Sequence, residues 1–145
     1  TSGGIATLGT HMIKSYSSTQ GVVALSSGEA EYYGLSKGAS IALGIVGMCS
    51  DMGVDLNVHI STDASAAKGI AMRIGLGKVR HLETTQLWLQ EKVADGTIMI
   101  AKIKGIDNCA DAMTKYLTGP GLSEHCSKLT VIRSNATQSA GISTK

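Results

Sequence analysis

The sequence predicts an α/β domain, and three stretches carry that prediction. Leu56–Asp63 alternates apolar and polar residues, the period-two pattern of a strand packed on one face. Thr97–Ile103 reads as another strand by composition and alternation. From Ser27 to about Met52 apolar residues recur instead at helical spacing. Strands interspersed with helices in this way form sheets with helices laid against them.

Taken in order, Ile5–Leu8 and Met12–Tyr16 flank Gly9-Thr10-His11 and predict an antiparallel hairpin. Val22–Leu25 adds a few extended residues. Ser26 and Glu29 then stand in the S-x-x-E relation of a capping box, which opens the long helix. Counted from Glu31, one stripe of that helix runs through Leu35, Ala39, Ala42, Val46 and Cys49, so Glu31 heads an apolar seam expected to face the interior. Glu29, rotated by roughly 200°, points elsewhere. A second seam, Ile41-Ile45-Met48-Met52, makes the helix apolar on most sides. Gly34, Gly38, Gly44 and Gly47 each weaken it by up to ~1 kcal/mol relative to Ala. Close backbone approach to a sheet would explain them.

After the strand at 56–63, a short Ala-rich helix is expected from Ala64 to about Arg73, broken by Gly75 and Gly77. Another helix follows from about Leu82 to Ala94 and stops at Asp95-Gly96, with Trp88 beside its apolar face. Asp107-Asn108 caps a short helix from Cys109 to about Leu117. Gly119-Pro120-Gly121 reads as a linker, and Arg133–Lys145 as a disordered tail. The expected order is β-β-α-β-α-α-β-α, with one domain over 1–117 and a linker and tail over 118–145.

Bulk properties narrow the classes. A chain of 145 residues with 43% hydrophobic residues has material for one core, and 17% charged residues is too few for a disordered polyelectrolyte. A net charge of +2 permits a nucleic-acid partner without arguing for one. Three scattered cysteines (Cys49, Cys109, Cys126) suit a reducing compartment better than a disulfide framework. His125-Cys126 lacks a partner pair at zinc-ligand spacing. The longest apolar run falls short of the ~20 residues of a membrane span, and no signal peptide is evident. The expected location is intracellular: cytoplasm, virus-like particle or nucleus. Asn135-Ala136-Thr137 matches a glycosylation sequon, read as coincidental in that setting.

Three acids fall at element junctions. Glu31 sits in the first turns of a helix, Asp63 at the carboxyl end of a strand, and Asp111 in the first turn of another helix. Each is also accounted for by the helix dipole, and Asp63 and Asp107 are plausible N-caps. In open α/β sheets, strand ends and helix starts meet at one edge, where ligands bind. Carboxylates gathered there repel unless divalent cations relieve them. Oxygen ligands without His or Cys favour Mg²⁺ or Mn²⁺, and two such ions suit in-line phosphoryl displacement.

Ala24-Leu25-Ser26-Ser27-Gly28-Glu29-Ala30-Glu31-Tyr32 closely resembles the "ALSS-x-EAEY" segment of ribonuclease H domains in copia-type retrotransposon polyproteins. Thr1-Ser2-Gly3 resembles "STSG", Thr62-Asp63-Ala64-Ser65-Ala66 "CDNQSA", and Arg80-His81-Leu82-Glu83 "KHID". Glu91-Lys92-Val93 with Asp95-Gly96 resembles "REKV-x-DG", and Ala110-Asp111-Ala112-Met113-Thr114-Lys115 "ADxLTK". Order and approximate spacing agree from Thr1 to about Leu117.

The resemblance implies a ribonuclease H-like mixed sheet flanked by helices. It places Glu31, Asp63 and Asp111 at three of the family's four metal-binding acids, around two Mg²⁺ or Mn²⁺ ions. It implies hydrolysis of the RNA strand of RNA–DNA hybrids, and reverse transcriptase and integrase parts in the same polyprotein. The fourth acid, an Asp, belongs to a first, central strand before the "TSG" segment, so the chain is expected to be truncated there and impaired. The remaining strands would close up, leave a gap lined by unpaired backbone groups, or be completed by another segment. Tyr116 replaces the Pro of the family's "TKPL", and Lys104–Asn108 carries no His for a product-release role.

Substrate contacts are expected from Arg73, Lys78, Arg80 and His81, which cluster around the glycine-broken connection and equally suit a solvated loop. Lys102 and Lys104 at a strand end are weaker candidates. With no Phe and one Trp, there is little to stack single-stranded bases. Trp88 is expected in the core, and His59 as a packed histidine. The alternative function is a non-catalytic nucleic-acid-binding or structural remnant of the same fold, or a decaying element with none.

Overall fold

In the computed structural model, which describes residues 1–75, 77 and 87–129, strand β1 (Ser2–Leu8) turns back into β2 (His11–Ser18). Leu8 faces His11 across the two-residue loop Gly9-Thr10, and Gly9 takes a φ of 60° there, a left-handed conformation that glycine adopts without strain. The pairing is antiparallel, with an irregularity between Ala6 and Thr7. The hairpin begins three residues earlier than the alternation in the sequence suggests. Its first residues, Ser2-Gly3-Gly4, carry no apolar signal to read.

Helix α1 (Ser27–Asp51) follows, and its start is the most tightly specified piece of local structure. Ser26 is extended (φ −147°, ψ 158°), and its Oγ accepts from the Glu29 N–H at 3.2 Å. The Glu29 carboxylate reaches back one residue beyond the N-cap, accepting from Leu25 N–H at 2.8 Å. It also accepts from the Tyr33 hydroxyl at 2.9 Å. Glu29 is 2% exposed. The sequence reading had the acids reversed: Glu29 is the buried one, and Glu31 is exposed. The buried seam of the first turns is Glu29, Tyr32/Tyr33 and Ser36, again at i+3/i+4 spacing, because the helix turns Tyr32 rather than Glu31 toward the core. The helix ends at Met52, with Gly53 at φ +79°.

Strand β3 (Val58–Thr62) and strand β4 (Ile98–Lys102) pair in parallel, Val58 against Ile98 through Thr62 against Lys102. Parallel neighbours require a crossover. It contains α2 (Ser65–Ala71) and α3 (Trp88–Ala94). Gln90 ties the two together: its amide donates to Ile70 O (2.9 Å) and Gly75 O (3.1 Å) and accepts from Gly75 N (2.8 Å). Gly75 and Gly77 have φ of +81° and +54°, as expected of a glycine-broken turn.

One core joins these pieces. Tyr32, Leu35 and Ala39 of α1 pack with Val58, Ile98, Ala67, Ile70, Ala71 and Leu89, and Trp88 lies against this cluster. Gly28 lies so close to α2 that a Cβ there would stand 2.9 Å from that of Ala66. Gly34 and Gly38 face Ser2 and the Tyr16 hydroxyl, the close approach to the hairpin that the glycines predicted; Gly44 and Gly47 meet nothing. His59 is exposed rather than packed.

The sheet is not continuous. Among the described residues β1 pairs only with β2, and β3 only with β4. The inner edges of β1 and β3 face a cleft of about 760 Å³ floored by α1. Among the described residues no strand lies between β1 and β3.

Beyond β4, a 3₁₀ turn (Gly105–Asp107) and a 3₁₀ helix (Cys109–Met113) replace the short α-helix expected to Leu117. Gly119-Pro120-Gly121, expected in a linker, instead open helix α4 (Gly119–Lys128), with Pro in the first turn where its missing N–H costs nothing. Lys128 pairs with Asp107 (3.3 Å) and holds α4 against the 3₁₀ turn. Cys49, Cys109 and Cys126 are free thiols. Among the described residues no helix is long and apolar enough to cross a membrane. The expected sequon and the tail from Arg133 lie outside the described residues.

Glu29→Ala strips the acceptor from both Leu25 N–H and the Tyr33 hydroxyl and should destabilise the fold by about 2 kcal/mol. Tyr33→Phe should cost about 1 kcal/mol. Urea midpoints measure both; equal stability to the unmodified chain would show that the buried carboxylate is not holding the helix start.

Candidate functional site

One end of the cleft is acidic. Glu31 from the second turn of α1, Asp63 just past β3, and Asp111 in the 3₁₀ helix all line it. Each gets there for a local reason. The cap at Ser26 sets the phase of α1, which leaves Glu31 on the cleft side. Asp63 does not cap α2, whose N-cap is Ala64 without a side-chain bond. Thr62 Oγ1 takes the nearby Ala64 N–H instead (3.1 Å), leaving the Asp63 carboxylate free to turn to the cleft. Asp111 is turned in by the tight 3₁₀ winding that follows Asn108.

Asn108 organises the acids. Its Oδ1 accepts from Ala110 N (3.2 Å), which sets the amide's orientation and points Nδ2 at the carboxylates. Nδ2 donates to Asp63 Oδ1 (3.2 Å) and Asp111 Oδ1 (3.3 Å). The other oxygen of Asp111 receives the Lys115 ammonium at 2.7 Å. That bond from Asp111 raises the Lys115 pKa; slight desolvation opposes it, and the charges of Asp111, Asp63 and Glu31 add to it. Of the three acids, Asp111 holds the lysine directly.

The donor set has the chemistry of a hard-cation site: carboxylate oxygens, no sulfur, and a cation already drawn to them. Asp63 and Asp111, sharing one donor, are the pair that fits such an ion. Glu31 lines the same cleft without sharing that donor. Among the described residues no three Asp, Glu, His or Cys side chains are grouped closely enough to hold a metal ion, and this also covers the His125-Cys126 pair.

Arg73 does not line the cleft. Its charge acts on Tyr32, whose hydroxyl burial pushes up to about 12, with Arg73 pulling the other way. Lys102 bonds Ser65 on the exposed surface. Lys78, Arg80 and His81 lie outside the described residues. The sequence reading missed Asn108 and Lys115 as partners of the acids. Their spacing from Asp111, three residues before and four after, is the helical-face signal that would have found them.

The chain is thus a mixed α/β domain with a cleft to which separate strand and helix ends bring acids. The chain is similar to the retrovirus-related Pol polyprotein from transposon RE1 of Arabidopsis thaliana, at 26% identity over 136 residues. That match covers 92% of this chain and 9% of that protein. No family model and no solved structure matches.

Because the folded Lys115 titrates above the ordinary lysine value of 10.5, its ion pair is fully present below that value and is lost as pH rises through the folded one. A heteronuclear NMR titration of the lysine side chains should show this elevation, and Asp111→Asn should remove most of it. An unshifted Lys115 would break the link between the acids. Asn108→Ala, which removes a cap and the shared donor, should cost about 1 kcal/mol in thermal unfolding.

Proposed function

We propose that this chain is a ribonuclease H-like domain of a retrotransposon polyprotein, built to hydrolyse the RNA strand of RNA–DNA hybrids with divalent metal ions and impaired in this form. The observation that carries the reading is that Glu31, Asp63 and Asp111, from three distant parts of the chain, line a single cleft, with Asp63 and Asp111 sharing the Asn108 amide. The similarity to a Pol polyprotein over 92% of the chain supports it, as do the ordered motifs.

In this reading Asp63 and Asp111 hold the metal, Glu31 supplies the outlying carboxylate, and Asn108 fixes the spacing of the pair. Bound Mg²⁺ or Mn²⁺ would supply an activated water and steady the departing oxygen. Hybrid would be recognised through backbone shape, since the cleft offers no stacking aromatics from Phe or Trp. The other proteins in the same polyprotein would be its reverse transcriptase and integrase.

A second reading is favoured by the lack, among the described residues, of any three acids grouped closely enough to hold a metal ion, and by the lysine on Asp111: a hybrid-binding remnant that has kept the fold without the chemistry. One assay separates them, using a labelled RNA–DNA hybrid with Mg²⁺ or Mn²⁺. The enzyme reading expects slow, metal-dependent cleavage of the RNA strand that falls to background in Asp63→Asn and Glu31→Gln. Salt-sensitive hybrid binding without cleavage, indifferent to Asp63→Asn, is the outcome of the remnant. Robust turnover abolished by Glu31→Gln would refute the impairment. Neither binding nor cleavage would end both readings.

A further inference from the structure

We propose that the chain's own segment Thr130–Ile132, just beyond α4, seats in the cleft as an extended strand between β1 and β3. The inference goes beyond the nuclease reading and needs no metal at the acids.

The cleft is shaped to take backbone. Among the described residues β1 and β3 each have one pairing partner, so the edge that each turns to the cleft carries N–H and C=O groups without a strand partner. The floor is apolar. Ile41 and Ile45, one turn apart on α1, line it and are only half-buried, and Leu8 and Ile13 of the hairpin, each 49% exposed, stand in its wall. Two open edges beside an apolar floor select an extended chain with apolar side chains, which satisfies both edges and covers the helix.

The occupant follows from where α4 delivers the chain. Leu129 closes α4, its N–H bonded to Cys126 O at 3.1 Å, and it lines the cleft itself. Lys128 beside it bonds Asp107 at 3.3 Å, which puts this exit at the acidic end. β1 begins at that end, where a Cβ on Gly3 would meet Met113 and Thr114, and β3 finishes there just before Asp63. A chain continuing from Leu129 into the cleft therefore runs alongside β1 and antiparallel to β3. The next three residues, Thr130-Val131-Ile132, are all β-branched and favour extended backbone. Alternation lays either Val131 or Ile132 on the α1 floor. From Arg133 to Ala140 the sequence turns to small and polar residues. Tethered at the cleft's mouth, the segment has an effective concentration on the order of millimolar, above that of any peptide arriving from solution.

Amide hydrogen exchange followed by NMR on the 145-residue chain tests this. The amides of Val131 and Ile132 and those on the cleft edges of β1 and β3 should exchange slowly, whatever the protein concentration. Val131→Pro removes a ladder donor, and the cleft-edge amides should then exchange roughly tenfold faster. Leu35 and Ala39, in the core, should keep their protection, which shows that the fold persists. Gln138→Pro, beyond the segment, should change nothing. If the proline variant unfolds, nuclear Overhauser contacts of Val131 or Ile132 with Ile41 or Ile45 in the unmodified chain decide instead: their presence supports the docked strand and their absence overturns it. Free-peptide exchange rates at Thr130–Ile132, or cleft-edge amides unmoved by Val131→Pro in a folded protein, overturn the proposal. Protection that grows only as a dimer forms also overturns it, and assigns the segment to the cleft of a second copy.

Discussion

The structure depends on the first turns of α1. The two pairs of strands share no backbone ladder among the described residues, so their relative placement comes from α1, which packs on both, and from the 3₁₀ helix, which packs on the hairpin and is tied to Asp63 by Asn108. Tyr32, fully buried, Leu35 and Ala39 press on the β3–β4 side, while Gly34 and Gly38 let the hairpin approach the same helix. Gln20 adds a polar tie, donating to Ser2 Oγ and Ala30 O (2.8 and 2.7 Å). A burial of this kind is worth the cost of ordering a long, glycine-weakened helix only if its phase is right. The Ser26–Glu29–Tyr33 bonds set that phase.

The same phase decides the chemistry of the cleft. A helix rotated to bury Glu29 must present Glu31, two positions on, toward a different side. Asp63 and Asp111 line the same cleft, reaching it from a parallel strand end and a 3₁₀ turn. Carboxylates brought together by folding raise the energy of the folded state unless donors meet them. This chain supplies two, the Asn108 amide and the Lys115 ammonium. Structure and electrostatics are therefore coupled at one point.

Much of this was legible in advance, and the exceptions have definite causes. The alternation at 56–63 and 97–103 marked both parallel strands, and the capping box marked the helix start to the residue. Counting from Glu31 along an apolar stripe assigned the buried acid wrongly. A helix that is apolar on most sides leaves its facing open, and only packing against Val58, Ala67 and Ile98 selects it. Gly119-Pro120-Gly121 looked like a linker because propensity disfavours helix there; placed at N1 and N2 the proline is compatible with one. The 3₁₀ winding of Cys109–Met113, shorter than expected, had no distinct sequence signal.

By itself the sequence determined the four strands, where α1 begins, and which acids stand at element junctions, because these follow from local periodicity and side chain–backbone bonds. Only the tertiary structure decided which glutamate is buried, that β1 and β3 remain apart across a cleft, and that Asn108 and Lys115 answer the acids. Those outcomes depend on contacts between residues far apart in the chain, whose energies no local pattern records.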